Sequence, residues 1–377
     1  MTGVEMTRTD DDAVPAVEPT TDPPSAGHRV VRALAIIAVL AFVFGWLLPQ
    51  FIDYQLVWDA ITGLSWAQLL ALLALTILRV PTEAAIYRAM LPGLRLWPGS
   101  QAYLSSNVAA NVMPPPAPSI IQYAYFRSEG FDSRSSMTGA VGSFVFPQGG
   151  RIVLPIIAFF VLLVSGNLDS EVFIIAGISL ALSIALSVVI WLIGRSEASA
   201  RWVGKQLGRF VSWVMVKFKK DPVGDLGDRV VEFRDNAYAV VRERWAFGSF
   251  AVALNLLLTY LVLVASIRFV GIDDSELALA IIFASFAVAF FAGVVIPITG
   301  SGLGVVDVVM VSALSASTSV DVNVIVAAVV LWRVFYSLLA FFPGAITLTR
   351  FAKTHADLLR SASEDLGGEP VIDATPD

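Results

Sequence analysis

Pro114-Pro115-Pro116-Ala117-Pro118 interrupts one apolar stretch, Ser100–Phe131, and Pro297-Ile298-Thr299-Gly300-Ser301-Gly302-Leu303-Gly304 interrupts another, Leu277–Thr318. Proline lacks the backbone N–H and its ring clashes with the preceding turn. Neither stretch can therefore be one continuous helix. Each is expected to enter a membrane and return as a broken, re-entrant helix pair, or to form two full spans.

The sequence around these breaks makes a membrane the expected solvent. Of 377 residues, 56% are hydrophobic and 15% are charged, and the mean hydropathy is +0.75. A soluble domain carries about 25% charged residues, and disorder needs low hydrophobicity. Both alternatives fail for most of the chain. Apolar runs at Ala33–Ile52, Leu64–Arg88, Met137–Ser165, Glu171–Ile193, Phe247–Val270 and Val322–Thr349 are each long enough for a spanning helix. The first is read as a retained span, since a signal peptide has a shorter apolar core and a small-residue cleavage site. The fold class is thus an all-α polytopic membrane protein with six full spans plus two broken pairs, or about eight spans.

Charge divides the chain further. Residues 1–27 and 354–377 each hold six acidic residues and one Arg, so the tails carry −10 of a total of −6 and the body carries +4. The organisation expected is a disordered tail 1–27, a span and first repeat over 28–194, a basic linker 195–245, a second repeat 246–352, and a disordered acidic tail 353–377. With both tails cytoplasmic, 21 Lys and Arg residues lie inside and only Arg268 lies near the outer face; Arg79, Arg151 and Arg333 fall within spans. That asymmetry follows the positive-inside rule and suits the plasma membrane. In the linker, Trp202, Leu207 and Phe210 recur at helical spacing among Arg201, Lys205 and Arg209. Such a helix can lie on an anionic inner leaflet or meet a cytoplasmic partner.

The two breaks are related to each other. Leu64 to Pro114 and Phe247 to Pro297 are both 50 residues, and a shift of 182 places Arg151 on Arg333 and Ala158-Phe159-Phe160 on Ala340-Phe341-Phe342. With the orientation above, the units are inverted. Inverted repeats with discontinuous helices are a transporter architecture whose site lies near the midplane.

Ionisable residues at membrane depth need a reason. Arg151 and Arg333 lie near the centres of their helices. Arg79 has Glu83 one turn later as an ion-pair partner, and Asp307 lies on the half-helix after the second break. Arginine is always charged and its planar fork suits phosphate. These residues are candidates to hold a lipid phosphate. The competing reading is that Arg151 and Arg333 pair with Asp307 or Glu83 and cap broken-helix carbonyls. Gly300, Gly302 and Gly304 can present N–H groups at a helix start, an anion site, or can serve close helix packing. Asn111, with Asn107, Gln122 and Gln148, is a candidate for lining a polar groove. Trp46, Trp66 and Trp97 fit an aromatic belt.

The stretches Asn107–Asn111–Val112–Met113–Pro114 and Tyr123–Ala124–Tyr125–Phe126–Arg127–Ser128–Glu129–Gly130–Phe131 resemble the first motif of the lysylphosphatidylglycerol synthase transmembrane (flippase-like) family. Ile296–Pro297–Ile298–Thr299–Gly300–Ser301–Gly302–Leu303–Gly304–Val305–Val306–Asp307 resembles the second. The resemblance covers roughly residues 30–352. It departs at Pro115–Ser119, where many members carry a Gly-Arg-x-Gly-Glu-like run, and at Asp307, where they commonly have Glu. In bifunctional relatives an aminoacyltransferase domain follows, and residues 354–377 are too few for one. The resemblance therefore implies the lipid-translocating half alone.

The function expected is a translocator that moves an anionic, aminoacylated or polyprenyl-phosphate lipid between leaflets, with membrane lipids as partners and no nucleic acid. The alternative is a non-transporting accessory or scaffold subunit for lipid or envelope biosynthesis. An enzyme is not expected: no His-x-x-x-His pair, Gly-x-Ser-x-Gly elbow or paired-Asp motif stands in the spans. No cofactor or metal is expected either, with no Cys, two His, and no P-loop for direct ATP use.

Overall fold

A computed structural model describes residues 55, 58–59, 62–112, 116–166, 170–217, 226–296, 302 and 304–365. The readings of a disordered 1–27 and a span at Ala33–Ile52 lie outside those residues, as do 366–377, Pro114, Pro115 and Gly300; the tail 353–377, expected to be disordered throughout, is instead helical over its described part, up to Thr354 and again over Ala356–Asp365.

The described chain is helical throughout. In order it forms α1 (Trp66–Met90), α2 (Leu96–Val112), α3 (Ala117–Ser128), α4 (Ser133–Ser165), α5 (Ser170–Arg195), α6 (Glu197–Lys217), α7 (Gly227–Phe269), α8 (Leu279–Val295), α9 (Val305–Ser315) and α10 (Val322–Arg333). A π-helical segment, Val334–Leu338, then leads into α11 (Phe341–Thr354) and α12 (Ala356–Asp365).

Local chemistry sets these boundaries. Ser65 and Gln68 open α1 with reciprocal backbone bonds, Ser65 N–H donating to Gln68 Oε1 at 2.8 Å. Asp132 and Asp321 cap α4 and α10, accepting from Ser135 N at 3.0 Å and Asn323 N at 2.7 Å. The two proline-rich stretches become the pairs α2/α3 and α8/α9. Isolated prolines act differently: Pro81 lies inside α1, and Pro147 and Pro155 lie inside α4. Each removes one rung of the backbone ladder without ending the helix, which neighbouring helices allow at membrane depth. Helix α7 changes direction at Arg244, where φ −129° and ψ 18° leave the helical region.

Among the described residues, five helices are long and apolar enough to cross a membrane: Trp66–Met90, Ser133–Ser165, Ile174–Arg195, Arg244–Phe269 and Val322–Thr354. Leu279–Val295 and Val305–Ser315 are shorter apolar helices. Large apolar side chains face outward along α4 and α5, among them Phe160, Val164, Ile178 and Trp191. Exposed apolar surface on this scale requires an apolar surrounding. The chain is a multi-pass membrane protein.

The two halves interlock. The short helix α8 packs on the long α4, and α11 packs on the short α2. At the second contact a Cβ on Gly344 would collide with the Leu104 carbonyl oxygen, so only glycine lets these backbones come together. Helix α1 runs beside both α2 and α7. Two buried apolar clusters result. One, around Trp332, Phe286 and Phe290, belongs mainly to the second half. The other, around Tyr123, Phe126 and Ile120, belongs mainly to the first. The polar site lies between them.

Candidate functional site

Helices α1, α2, α3, α4, α7 and α8 and the π segment surround a cavity of about 120 Å³. That is many times the space one water needs. Its lining holds three charged side chains, Arg79, Glu83 and Arg151, among polar groups including Tyr103, Ser106, Asn107, Gln122, Ser143, Gln148, Asn255 and Ser337.

Arg79 is 3% exposed. Its Nη2 donates to Tyr103 OH and to the Tyr336 carbonyl oxygen, both at 2.5 Å. Its guanidinium lies 4.5 Å from the Tyr336 ring centroid. The Tyr336 carbonyl is available because the π segment shifts the backbone pattern by one residue; the adjacent Phe335 carbonyl accepts from Thr76 Oγ1 at 3.0 Å. Glu83 stands one turn along α1, its Oε1 3.7 Å from Arg79 Nη1. This is an ion pair too long to be a hydrogen bond. Next to it, Asn255 Nδ2 ties α7 to α1 through Thr82 Oγ1 at 2.8 Å.

Arg151 reaches the cavity from α4. Its Nη1 donates to Gln148 Oε1 at 3.3 Å, and its guanidinium lies 5.2 Å from the Phe290 ring centroid. Among the described residues it forms no ion pair within 4 Å. Four buried polar atoms on this lining lack a hydrogen-bond partner: Arg79 Nε, Arg151 Nε, Gln122 Oε1 and Ser143 Oγ. Buried polar groups are ordinarily satisfied, and four unsatisfied ones are concentrated on this cavity. Two of the four are guanidinium donors, which suits an anion.

Arg333 is elsewhere. It is buried at the end of α10, with Nε and Nη2 both 2.7 Å from Asp307 Oδ1. Asp307 Oδ2 accepts from Gly304 N–H at 2.9 Å, closing the first turn of α9. Gly304 has φ +92° and Gly302 φ +69°, backbone that glycine adopts without strain. The glycine N–H at this helix start is thus engaged by the protein's own carboxylate. Arg333 is held in a structural pair, and the expectation that it shares a headgroup groove with Arg151 is corrected: the carboxylate that engages it is Asp307.

The two sites nevertheless share a wall. Arg151 lies over Phe290, Arg79 over Tyr336, and Arg333 over Trp332 and Tyr336, with centroid distances of 4.9 and 5.5 Å for the last two. Trp332 and Tyr336 stack at 4.9 Å, and Phe290 meets both edge-on. Three membrane arginines therefore surround one aromatic cluster.

Of the polar candidates, Asn107, Gln122 and Gln148 line the cavity. Asn111 instead bonds within α2, to the Asn107 carbonyl at 2.8 Å, and accepts from Ser337 Oγ at 2.8 Å. Sequence reasoning missed Tyr103, Ser143, Asn255 and Tyr336. The Asn255 amide within an apolar run was a readable signal. The Tyr336 carbonyl left none, because it depends on the π geometry.

No match is found among curated proteins. The family model described as lysylphosphatidylglycerol synthase TM region matches residues 30–344, which takes in both breaks, all three membrane arginines and the whole cavity lining. This chain belongs to the lysylphosphatidylglycerol synthase transmembrane-region family.

Proposed function

We propose that the chain is a lipid translocator whose cavity receives the headgroup phosphate while the acyl chains remain in the bilayer. The observation that carries this reading is the pair of buried guanidinium donors, Arg79 Nε and Arg151 Nε, left without acceptors on one cavity at membrane depth. The barrier to lipid exchange is the transfer of a charged headgroup through hydrocarbon, and a cationic cavity lowers it. The succession of long, short, short and long helices in α1–α4, and again in α7, α8, α9 and the Val322–Thr354 span, supports inverted repeats. Leu96–Val112 and Leu279–Val295 are both 17 residues long. In this reading both termini are cytoplasmic, the membrane is the plasma membrane, and an anionic, aminoacylated or polyprenyl-phosphate lipid is the cargo. The exposed Trp202 and Leu207 of α6 rest on the inner leaflet or a cytoplasmic partner.

One observation favours the accessory alternative. Arg333 pairs with Asp307 rather than lining the cavity. The test is headgroup-dependent lipid movement in proteoliposomes, with quencher accessibility as the signal. Wild type is expected to exceed empty liposomes, and Arg151→Gln to lose that excess while remaining folded. No movement of any phospholipid or polyprenyl-phosphate lipid would overturn the translocator in favour of the accessory subunit.

A further inference from the structure

Arg79, Arg151 and Glu83 are the ionisable acid and bases of the cavity lining, and their formal charges sum to +1. Glu83 forms an ion pair that carries no hydrogen bond. It lies 3.7 Å from Arg79, whose Nη2 is already bonded to Tyr103 and Tyr336, and Arg151 has no ion-pair partner within 4 Å among the described residues. The contrast with Asp307, whose oxygen lies 2.7 Å from two Arg333 nitrogens, is plain. The remaining polar lining consists of hydroxyls and amides, which supply hydrogen bonds without altering the sum.

We infer that Glu83 is a specificity-determining residue that limits the cavity to a headgroup phosphate bearing a single negative charge. The inference rests on the reading of the cavity as a headgroup site. In a site of low effective dielectric, uncompensated charge is costly, and one charge a few ångströms away is felt strongly. A phosphodiester brings −1 and leaves the site neutral. A phosphomonoester brings up to −2 and leaves an excess negative charge beside the Glu83 carboxylate. Without that carboxylate the lining would be +2 and the preference would invert. Glu83 thus acts on the anion by repulsion, as discriminating sites commonly do, while Arg79 and Arg151 attract it.

The test compares two lipids that differ by one methyl group and one charge. Phosphatidylmethanol and phosphatidic acid with identical acyl chains are titrated onto the full-length protein in detergent at pH 8, and binding is read by native mass spectrometry. Wild type is expected to favour phosphatidylmethanol by about tenfold or more. Glu83→Gln is expected to move the ratio toward phosphatidic acid by at least about tenfold, and Glu83→Asp to keep the wild-type order. Both lipids are compared within one preparation, so partial unfolding lowers both signals without shifting their ratio. Equal or tighter binding of phosphatidic acid by wild type, or an unchanged ratio in Glu83→Gln, overturns the inference and leaves translocation standing. Binding of neither lipid by wild type overturns both it and the headgroup site.

Discussion

Arg151 and Arg333 fall on each other under the 182-residue shift, yet they keep different company. Arg333 has a carboxylate at 2.7 Å, and that carboxylate also caps α9. Arg151 has a glutamine, an aromatic ring and an Nε without an acceptor. The second half thus closes its break with an internal ion pair, whereas the first half leaves its cation beside a cavity. Whether an intramembrane arginine is closely neutralised therefore depends on the acid within reach, not on its place in a span.

The comparison can be broken most forcefully at Asp307. Asp307→Ala leaves Arg333 buried and uncompensated, and should cost about 3 kcal/mol. This is the low end for a broken buried pair, because Asp307 is 26% exposed. Thermal unfolding in detergent measures it, and adding Arg333→Gln should recover more than half of the loss. Arg151→Gln should cost less than about 1 kcal/mol, because it removes a half-buried charge that has no ion-pair partner within 4 Å among the described residues. A loss from Arg151→Gln equal to that from Asp307→Ala would abolish the distinction.

Arg79 should fall between the two. Arg79→Gln deletes hydrogen bonds to Tyr103 and to the Tyr336 carbonyl, for an expected loss of about 1–3 kcal/mol, together with anion binding. The same unfolding assay, paired with a phosphatidylmethanol titration, separates the two effects.

A carboxylate can also be transplanted. Gln148→Glu puts an acid beside Arg151, as Asp307 stands beside Arg333. Anion affinity should fall by about tenfold or more, with little change in melting temperature. Unchanged affinity would show that the missing acid is not what distinguishes the halves.

The smallest expected effect lies where the halves are alike, at the aspartate caps. Asp132→Ala and Asp321→Ala should each fray the first turn of α4 or α10, read as faster amide exchange at Ser135 and Asn323. Hydrogen bonds from the Ser135 hydroxyl and backbone N–H hold the Asp132 carboxyl below its ordinary range. Its folded value is depressed, so its contribution is present above the unfolded carboxylate value, about pH 3.9, and is lost as pH falls through the folded one. Protection at Ser135 should therefore decline only in acid.

Much of the architecture was legible because membrane insertion reads simple quantities. Five of the apolar runs coincide to within about five residues with the five described helices long and apolar enough to cross a membrane. The clustered prolines at 114–118 and the proline–glycine stretch at 297–304 coincide with the breaks between α2 and α3 and between α8 and α9. Isolated prolines were ambiguous, since Pro81, Pro147 and Pro155 proved tolerable within continuous helices. The Arg79–Glu83 pair was readable from its i, i+4 spacing. The grouping of Arg79 with Arg151, and the separation of Arg333 from both, were not. They join α1 to α4 and α9 to α10, and no helical periodicity encodes which of three arginines meets which acid.

By itself the sequence determined the solvent, the helical spans and the two breaks, because hydropathy, proline chemistry and segment length act locally along the chain. Only the tertiary structure decided where charge is neutralised and where it is not. It brought Asp307 onto Arg333, held Arg79 on a carbonyl exposed by a π-helical turn, and left Arg151 facing a cavity. Electrostatic pairing depends on distances of a few ångströms between side chains far apart in sequence, and packing alone sets those distances.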